Sequence, residues 1–432
     1  MDSVTPVGRH AVAIIGGGQA GLSISWYLKK SGIDHIVFEK KRAANAWRSE
    51  RWDSFCLVTP NWQCQLPGFP YCGPDPHGFM LRDEIVAYLD DFIASFHPPL
   101  LEGVAVRHLR SDSQHGFLLD TTEGVHFADQ VVIATGGYQA PIVPRCSERF
   151  RDDLMQIQSS LYRNPQLLPD GAVLVVGSGQ SGCQIAEDLH LAGRKVHLCA
   201  GDAPRVARRY RGRDVVEWLH MMSYYELPVQ EHPLREGVRD RTNHYVTGRD
   251  GGRDIDLRQR ALEGMELYGR LLDVRGNRIL VDENLALCLD QADQVSESIK
   301  SSIDAFIAKN KIAAAEESRY RPVWSPSRER PELDYRSAEI GSVVWCIGFH
   351  TDYSWIDLPV FNGRGKPSHI RGVTPFPGVY FIGLPWLYTW GSGRFSGVAR
   401  DAEYLAEHIK ASTRALRAEK SASMVNEAAI GS

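Results

Sequence analysis

Hydrophobic and polar positions along this chain follow a repeated order of buried strand, glycine turn and helix. An apolar run over residues 11–15 leads into a glycine-rich turn and then into a helix-forming segment that reaches residue 28. A second apolar run over 35–38 ends at an acidic residue, and the strand–turn–helix order returns over 172–189. Short buried strands that alternate with helices indicate a parallel sheet of the doubly wound α/β type. The pattern therefore predicts two such units in one chain.

The same pattern predicts several other elements. Residues 82–96 carry apolar side chains at near-helical spacing and are predicted to form an amphipathic helix. Three short segments are predicted to form antiparallel strands: 104–107, 116–121 and 124–127. The charge density over 290–308 predicts an exposed helix, and the polar tail beyond Ala411 is predicted to be frayed or disordered.

The first glycine-rich turn fits a phosphate-binding sequence. Gly16, Gly18 and Gly21 match G-x-G-x-x-G, in which the glycines permit a tight turn, backbone approach to a pyrophosphate and close helix–strand packing. The pyrophosphate would lie on unpaired N–H groups at the helix N-terminus, where the helix dipole favours negative charge. Glu39 follows Gly21 by 18 residues, where a carboxylate can accept hydrogen bonds from a ribose. This order predicts dinucleotide binding, whereas a glycine turn alone could be only a sharp strand–helix connection.

The second turn repeats this motif. Gly177, Gly179 and Gly182 fit G-x-G-x-x-G after an apolar strand, and Gln180 and Ser181 lie inside the turn. Two such units are far more specific than one, so we predict that two nucleotides bind close together.

The residues after the second unit favour NADP(H) over NAD(H). The position that matches the acidic residue of the first unit is Ala200, and the arginine-rich run that follows includes Arg205, Arg208 and Arg209. A missing carboxylate with guanidinium groups nearby suits a 2′-phosphate. Two alternatives stay open, because Asp202 is close enough to accept hydrogen bonds from a ribose and because arginine clusters are often solvated surface.

Other apolar strands also end in residues that allow close approach to a cofactor. Thr135 and Gly136 follow one such strand, with an ordinary β-turn as the alternative. Gly348 closes another strand, and Gly391 and Gly393 precede a helix-forming run whose N-terminus could point at a cofactor.

Composition narrows the classes of function. The net charge of −4 gives no global sign of binding to nucleic acid or to an anionic membrane. No apolar run approaches the roughly 18 residues required to span a bilayer, and the polar N-terminus leads directly into the first strand, so we expect no signal peptide. The eight cysteines include no C-x-x-C pair, which argues against a zinc site or a disulfide framework and predicts reduced thiols in the cytoplasm.

Several motifs together resemble a known class of enzyme. The turns GGGQAG and GSGQSG, the strand ends ATGG and VWCIGF, and the segment 45–48 resemble class B flavoprotein monooxygenases, which include flavin-containing monooxygenases, N-hydroxylases and Baeyer–Villiger enzymes. The resemblance spans roughly residues 10–410. The segments HLCAGDAPRVARRYRGRD and TWGSGRF are most similar to a bacterial subgroup of flavin-dependent oxidoreductases whose genes often lie beside a nitrilase-like gene.

This resemblance implies FAD on the first turn and NADPH on the second. It adds Trp47 and Arg48 to the candidate cofactor ligands. Asn61 lies in TPNWQCQLPGFP, which is similar to the segment where flavin-containing monooxygenases place an asparagine beside the flavin C4a position. We therefore predict a catalytic Asn61, with a turn-capping asparagine as the alternative. One departure is Gln158, which stands where the class has a histidine.

The implied function is an NADPH-dependent FAD monooxygenase. It would oxygenate a small, nitrogen-containing substrate with O₂ through a C4a-(hydro)peroxyflavin, with a homodimer as a candidate assembly. Two alternatives are an NADPH–flavin reductase that passes electrons to a carrier and a non-catalytic redox- or nucleotide-binding module.

The predicted fold is α/β, with two dinucleotide-binding (Rossmann-like) domains and the NADPH domain inserted into the FAD domain. The predicted limits are 1–165 for the first part of the FAD domain, 166–330 for the NADPH domain with a helical insertion, and 331–432 for the second part of the FAD domain with a flexible tail.

Overall fold

The chain forms strands and helices over residues 7–430, the part that this computed structural model describes; side chains are described as far as residue 416 and at 418. The strands are β1 Gly8–Ile15, β2 His35–Glu39, β3 Gln65–Leu66, β4 Phe69–Pro70, β5 Leu100–Glu102, β6 Val106–Asp112, β7 Gly116–Thr121, β8 Gly124–Ile133, β9 Ala140–Pro141, β10 Met155–Gln158, β11 Ala172–Val176, β12 Val196–Cys199, β13 Arg209–Tyr210, β14 Arg213–Asp214, β15 Glu266–Tyr268, β16 Leu271–Arg275, β17 Arg278–Val281, β18 Glu332–Asp334, β19 Ile340–Trp345, β20 Phe349–His350, β21 Ile356–Asp357 and β22 Val379–Phe381. The α-helices are α1 Gln19–Lys30, α2 Asn45–Ser49, α3 Arg82–Phe96, α4 Gln180–Leu191, α5 Val215–Met221, α6 Leu257–Leu262, α7 Leu285–Asn310 and α8 Val398–Ile430.

The first sheet has the order β21-β6-β7-β8-β1-β2-β5, with β22 also paired to β8. β1 pairs in parallel with β2 and β8, whereas β6, β7 and β8 pair antiparallel. The second half of β1 is fully buried, which agrees with the continuous apolar run of a strand covered on both faces. The predicted strand 116–121 is confirmed as β7. The strand predicted at 104–107 instead begins at Val106 and continues to Asp112 as β6, and 124–127 forms one continuous strand, β8, with the apolar run after it.

The second sheet has the order β10-β19-β11-β12-β15, and all its pairings are parallel. Its strands lie in the chain between β8 and β21 of the first sheet. The second Rossmann-like unit is therefore inserted into the first, and the predicted α/β fold class is confirmed. Strands β10 and β19 fall outside the predicted range 166–330, and the domain limits themselves stay a prediction.

The helix α3 has the predicted bounds, but α7 differs from the prediction. It is longer than 290–308, and it is not simply exposed, because it buries one face that includes Asp293 and Lys300. The buried Asp293 carboxylate is not left unpaired, because Arg205 and Arg258 lie 3.2 and 2.9 Å from it. Charge density alone does not reveal such internal partners.

The C-terminal segment is helical as far as Ile430, where the sequence predicted a frayed tail beyond Ala411. Its alanine, glutamate and lysine residues are poor core formers but are among the best helix formers, which explains the difference. Residues 431–432, which also belong to the predicted tail, lie outside the described residues. Among the helices of residues 7–430, none has the length and apolarity required to cross a membrane.

Candidate functional site

A large cleft lies at the carboxyl ends of the central strands of both sheets. Its volume is about 1680 Å³, which exceeds the roughly 300–1,000 Å³ of a typical pocket for one small ligand. The residues that follow β1, β8, β11, β12 and β19 line it, together with residues from the segment 383–395. Ligands of open α/β sheets bind at this edge of the strands.

The first glycine turn has the geometry of a phosphate cradle. Gly16 has φ +116°, and a Cβ on it would lie 2.6 Å from the Ala134 carbonyl oxygen. A Cβ on Gly21 would lie 1.9 Å from the Gly16 carbonyl oxygen, so helix α1 can pack here only with glycine. A Cβ on Gly18 would meet nothing within 4 Å. Because Gly18 and Gln19 line the cleft, the unpaired N–H groups at the start of α1 are accessible to a ligand.

The second turn reproduces this arrangement on the other side of the cleft. Gly177 has φ +102°, and a Cβ on Gly182 would lie 1.8 Å from the Gly177 carbonyl oxygen. A Cβ on Gly179 would contact only Thr242 Cγ2, at 3.7 Å. Both turns therefore leave their middle glycine open at a helix N-terminus, as a bound pyrophosphate requires.

Glu39 lies at the end of β2 and lines the cleft. Its Oε2 accepts a hydrogen bond of 2.8 Å from the Gly17 N–H, and its Oε1 accepts one of 2.9 Å from the Lys41 N–H. These two bonds fix the carboxylate beside the glycine turn. They leave lone pairs on both oxygens for further donors such as ribose hydroxyls.

A chain of hydrogen bonds joins three distant segments beside the first turn. The Trp47 indole N–H donates to Gln19 Oε1 at 3.0 Å, and Gln19 Nε2 donates to the Gly393 carbonyl at 2.9 Å. Trp47 and Gly393, both predicted as cofactor ligands, are thus brought together in the cleft lining. Gln19, which connects them, was not among the predicted site residues.

The arginine that faces the cleft in this region is Arg51 and not Arg48. Arg48 pairs with Asp90 and donates to a backbone carbonyl, away from the cleft lining. The Arg51 guanidinium lines the cleft, 5.0 Å from the Trp47 ring centroid. Burial lowers the pKa of Arg51, and no carboxylate of the described residues lies within 4.0 Å of it. The two arginines are three residues apart, and nothing in the sequence distinguishes them.

Asn61 is buried and its side chain is engaged within its own loop. Its Nδ2 donates to the Asp75 carbonyl and its Oδ1 accepts from the Met80 N–H, both at 2.9 Å. These contacts are those of the alternative interpretation, a turn-stabilising asparagine. Gln63, two residues further on, lines the cleft, and its buried Oε1 has no hydrogen-bond partner in the described part of the chain.

The predicted arginines of the second unit are placed in three different ways. Arg205 is buried away from the cleft lining, 3.4 Å from Asp256 and stacked on a tyrosine ring. Arg208 lines the cleft but is buried and paired with Asp214 at 3.1 Å. Arg209 is exposed outside the cleft lining. Arg205 and Arg208 are therefore already paired with carboxylates, and Arg209 does not face the cleft.

Arg270 is the cation nearest to the predicted ribose position of the second unit. Ala200 and Asp202 line the cleft just after β12, and the Arg270 guanidinium lies 3.4 Å from the Asp202 carboxylate. Both side chains are more than half exposed, so a ligand can reach them. Arg270 follows the neighbouring strand β15, and no local sequence signal indicates that this strand lies beside β12.

Gln158, which stands in place of the expected histidine, ends strand β10. The next residues, Ser159 and Ser160, line the cleft. Tyr162 is fully buried and donates to Asp188 Oδ2 at 2.7 Å.

Most of the predicted site residues meet in the cleft. Its lining includes Gly16, Gly18, Glu39, Trp47, Thr135, Gly136, Gly177, Gly179, Gln180, Ser181, Arg208, Gly348 and Gly393. The remaining predicted residues lie behind or outside this lining: Gly21, Arg48, Asn61, Gly182, Arg205, Arg209 and Gly391.

Two glycine-rich turns that open on one cleft define a class of protein, the α/β proteins with two Rossmann-like units. The model of the pyridine nucleotide-disulphide oxidoreductase family matches residues 13–228. A CzcO-like oxidoreductase of Geobacillus kaustophilus is 34% identical over 401 residues, which are 92% of this chain and 97% of that protein. The chain belongs to the pyridine nucleotide-disulphide oxidoreductase family.

Solved structures with this fold include flavin monooxygenases. A mutant flavin monooxygenase from Stenotrophomonas maltophilia superimposes with a TM-score of 0.63 at 18% identity, covering 94% of this chain and 99% of that one. The ornithine N-hydroxylase KtzI from Kutzneria sp. 744, with reduced FAD, NADP⁺ and L-ornithine, gives a TM-score of 0.61 at 16% identity, covering 93% and 99%. The protein described here is thus an oxidoreductase with the fold of flavin monooxygenases.

Proposed function

We propose that this protein is an NADPH-dependent FAD monooxygenase that acts on a small molecule. The observation that carries the proposal is the pair of open middle glycines, Gly18 and Gly179, at two helix N-termini that face one cleft. A cleft of this volume has room for two dinucleotides. Two alternative functions, a reductase and a non-catalytic module, are distinguished from the monooxygenase by the experiment below.

FAD would occupy the side of the cleft formed by residues 1–165 and 331–432. The N–H groups after Gly18 would hold the pyrophosphate, and Glu39 would accept hydrogen bonds from a ribose. Arg51 would supply a positive charge, since its guanidinium has no carboxylate partner of its own among the described residues. The Gln19 and Trp47 side chains would then fix the first turn against the segment that contains Gly393.

NADPH would occupy the side formed by residues 166–330. The N–H groups after Gly179 would hold its pyrophosphate, with Gln180 and Ser181 at the same turn. Arg270 is the side chain that we propose for the 2′-phosphate, because it lies beside the end of β12 and is accessible. Arg205 is a poorer candidate, because it is buried away from the cleft beside the carboxylates of Asp256 and Asp293.

The cofactors, when bound, supply the hydride and the activation of O₂. The chain's own residues bind and orient the two nucleotides and exclude water from between them. A nitrogen-containing substrate remains the finer proposal, and its support is the fold shared with an N-hydroxylase whose structure contains L-ornithine.

The proposal is tested on the FAD-loaded protein with NADPH, O₂ and a panel of primary amines and amino acids. We expect NADPH to bleach the flavin without O₂. We further expect one amine to gain one oxygen atom for each NADPH and O₂ consumed, with one H₂O formed and little H₂O₂. Release of all reducing equivalents as H₂O₂ or to an added electron acceptor, whatever compound is present, would favour the reductase. Absence of flavin reduction by NADPH would favour the non-catalytic module.

A further inference from the structure

One arginine at the end of the cleft lacks an acidic partner. The Arg394 guanidinium is partly buried, lines the cleft and lies 3.9 Å from the Trp390 ring centroid. It donates hydrogen bonds to the Trp390 carbonyl and, at 2.8 Å, to Asn243 Oδ1. Within the described residues, no carboxylate oxygen lies within 4.0 Å of it. A guanidinium removed from water without a counter-charge is costly, so the site favours an anion.

Apart from Arg51, the other cations of the cleft are balanced or solvated. The ion pairs are Arg208–Asp214 at 3.1 Å, Arg239–Glu236 at 3.4 Å and Arg270–Asp202 at 3.4 Å. Lys40 and Arg241 are exposed, so water compensates their charge. Arg51 lies beside the first glycine turn, where a nucleotide phosphate is expected. Arg394 is therefore the cleft cation whose partner neither the protein nor the two glycine turns provide.

The walls around Arg394 are aromatic. Tyr225 packs against Trp390 with ring centroids 4.7 Å apart, and Tyr224 meets Trp386 edge-on at 6.5 Å. All four rings line the cleft. Such a wall suits a flat apolar body and offers few donors to the several oxygens of a phosphate.

The titratable groups that face Arg394 leave its charge uncompensated. The titratable phenols that face Arg394 belong to Tyr138, Tyr224 and Tyr225. Burial raises the pKa values of Tyr224 and Tyr225, so neither of these two carries a negative charge at neutral pH. His244 also lines the cleft, and burial together with the Arg394 charge lowers its pKa to about 4, so its imidazole is neutral as well.

We propose that Arg394 binds the carboxylate of the substrate, and that the substrate is an organic acid with an aromatic or similarly flat apolar body. This proposal rests on the proposed function, because the bound acid is a substrate only if the protein is a monooxygenase. Asn243 is a positioning residue, because its Oδ1 holds one edge of the guanidinium. The remaining N–H groups of the guanidinium are left for the substrate carboxylate.

The same positive charge could instead meet a phosphate of the nicotinamide dinucleotide. The substrate carboxylate and the nucleotide phosphate can be distinguished by which binding property changes when the Arg394 charge is removed. A carboxylate contact affects binding of small acids, whereas a phosphate contact affects the KM for NADPH and leaves small acids alone.

The test uses the FAD-loaded protein with NADP⁺ and follows the flavin absorbance during titration with phenylacetate or phenylacetamide. The two probes differ in charge and share the same ring. The variants are Arg394→Met and Arg394→Lys, with Arg209→Met as the control that removes an equal charge outside the cleft. Flavin content and melting temperature verify that each variant is folded.

We expect phenylacetate to bind at least about tenfold more tightly than phenylacetamide to the unmodified protein, as one charge-assisted pair provides. Arg394→Met removes this preference, Arg394→Lys keeps part of it, and Arg209→Met keeps it all, with the KM for NADPH unchanged throughout. Equal binding of the two probes, no binding of phenylacetate, or a raised KM for NADPH in Arg394→Met with the preference intact would overturn the proposal. The probe titration is an equilibrium measurement, and the KM for NADPH is obtained from NADPH oxidation by O₂, so neither readout requires that the protein oxygenates a substrate.

Discussion

Gln63 and Asn61 are two buried amides of one loop with opposite surroundings. Both hydrogen-bonding atoms of Asn61 are used by backbone groups, whereas the Gln63 Oε1 has no partner among the described residues. A buried polar atom without a partner costs free energy and is retained where a ligand satisfies it. At this position we therefore expect Gln63 to contact a bound ligand and Asn61 to hold the loop.

Substitution of the two amides separates these roles. Gln63→Met keeps the volume of the side chain and removes its polar atoms, so we expect normal folding but a several-fold larger share of NADPH oxidation that ends as H₂O₂. Asn61→Ala leaves the Met80 N–H and the Asp75 carbonyl unpaired, which should lower the free energy of unfolding by about 1–3 kcal/mol. Urea unfolding and H₂O₂ release, measured on both variants, check this. The reverse result, with Gln63→Met unstable and Asn61→Ala stable but uncoupled, would restore Asn61 as the catalytic residue.

Arg270 is the residue that we predict to favour NADPH over NADH. A guanidinium contact to the 2′-phosphate exists with NADPH and not with NADH. We expect Arg270→Ala to raise the KM for NADPH by about 10- to 100-fold, the range of one charge-assisted hydrogen bond, and to leave the KM for NADH nearly unchanged. Steady-state kinetics with both nucleotides measure this. Arg205→Ala is unsuitable as a control, because it removes one of the two arginine partners of the buried Asp293. Arg209→Ala serves instead, and an equal loss for both nucleotides in Arg270→Ala would contradict the assignment.

At the scale of the elements, the two glycine turns are equivalent in geometry and differ in what they are proposed to bind. Gly18 and Gly179 each precede a helix of 12 residues and have extended backbone angles, φ −81° and −67°, that any residue can adopt. Each also has room for a Cβ. A side chain at either position would fill the space where a pyrophosphate approaches the helix, without disturbing the protein.

This equivalence allows the two nucleotides to be assigned to their turns. Gly18→Val should give a folded protein that purifies with little FAD. Gly179→Val should keep its FAD and show a KM for NADPH raised at least tenfold, because the valine competes only with the second pyrophosphate. Flavin absorbance per protein and anaerobic reduction by NADPH are the measurements. The exchange of these two phenotypes would show that the nucleotides bind the other way round.

At the scale of the whole molecule, several histidines are buried in neutral form. Burial lowers the pKa values of His197, His244 and His369 to about 4, from 6.5 in an unfolded chain. Between these two values the unfolded chain binds more protons than the folded one. Their contribution to stability is thus complete above pH 6.5, falls as the pH decreases toward 4, and changes no further below that.

His197 offers the clearest test, since it is buried in the second sheet beside Tyr268 and does not line the cleft. From its shift alone, the free energy of unfolding should fall by about 1 kcal/mol between pH 7.5 and 5.5. In His197→Phe this contribution is absent, so the decline with pH should be shallower by that amount. Urea midpoints at the two pH values measure the difference. Parallel declines in both proteins would show that His197 does not titrate as its burial requires.

Local signals were sufficient to predict the two glycine turns, the succession of strand, turn and helix around each of them, and helix α3. Residue period, apolar runs and glycine spacing each act within about 20 residues, and these features appear in the structure where the sequence placed them. The insertion of one unit into the other also followed from the order of these motifs along the chain.

The side chains that complete the cleft were decided by tertiary structure. Arg51 rather than Arg48, and Arg270 rather than Arg205, face the cleft because segments distant in the chain supply or withhold carboxylates: Asp90 takes Arg48, and Asp256 and Asp293 take Arg205. The orphaned amide of Gln63 and the unbalanced charge of Arg394 exist only relative to such neighbours. The sequence by itself thus determined that two nucleotide-binding turns would form, since glycine and apolar periodicity act locally. Only the packing of distant segments determined which polar groups were buried without a partner, as in Gln63 and Arg394, or stayed accessible at the cleft, as in Arg270, and those are the groups available to a ligand.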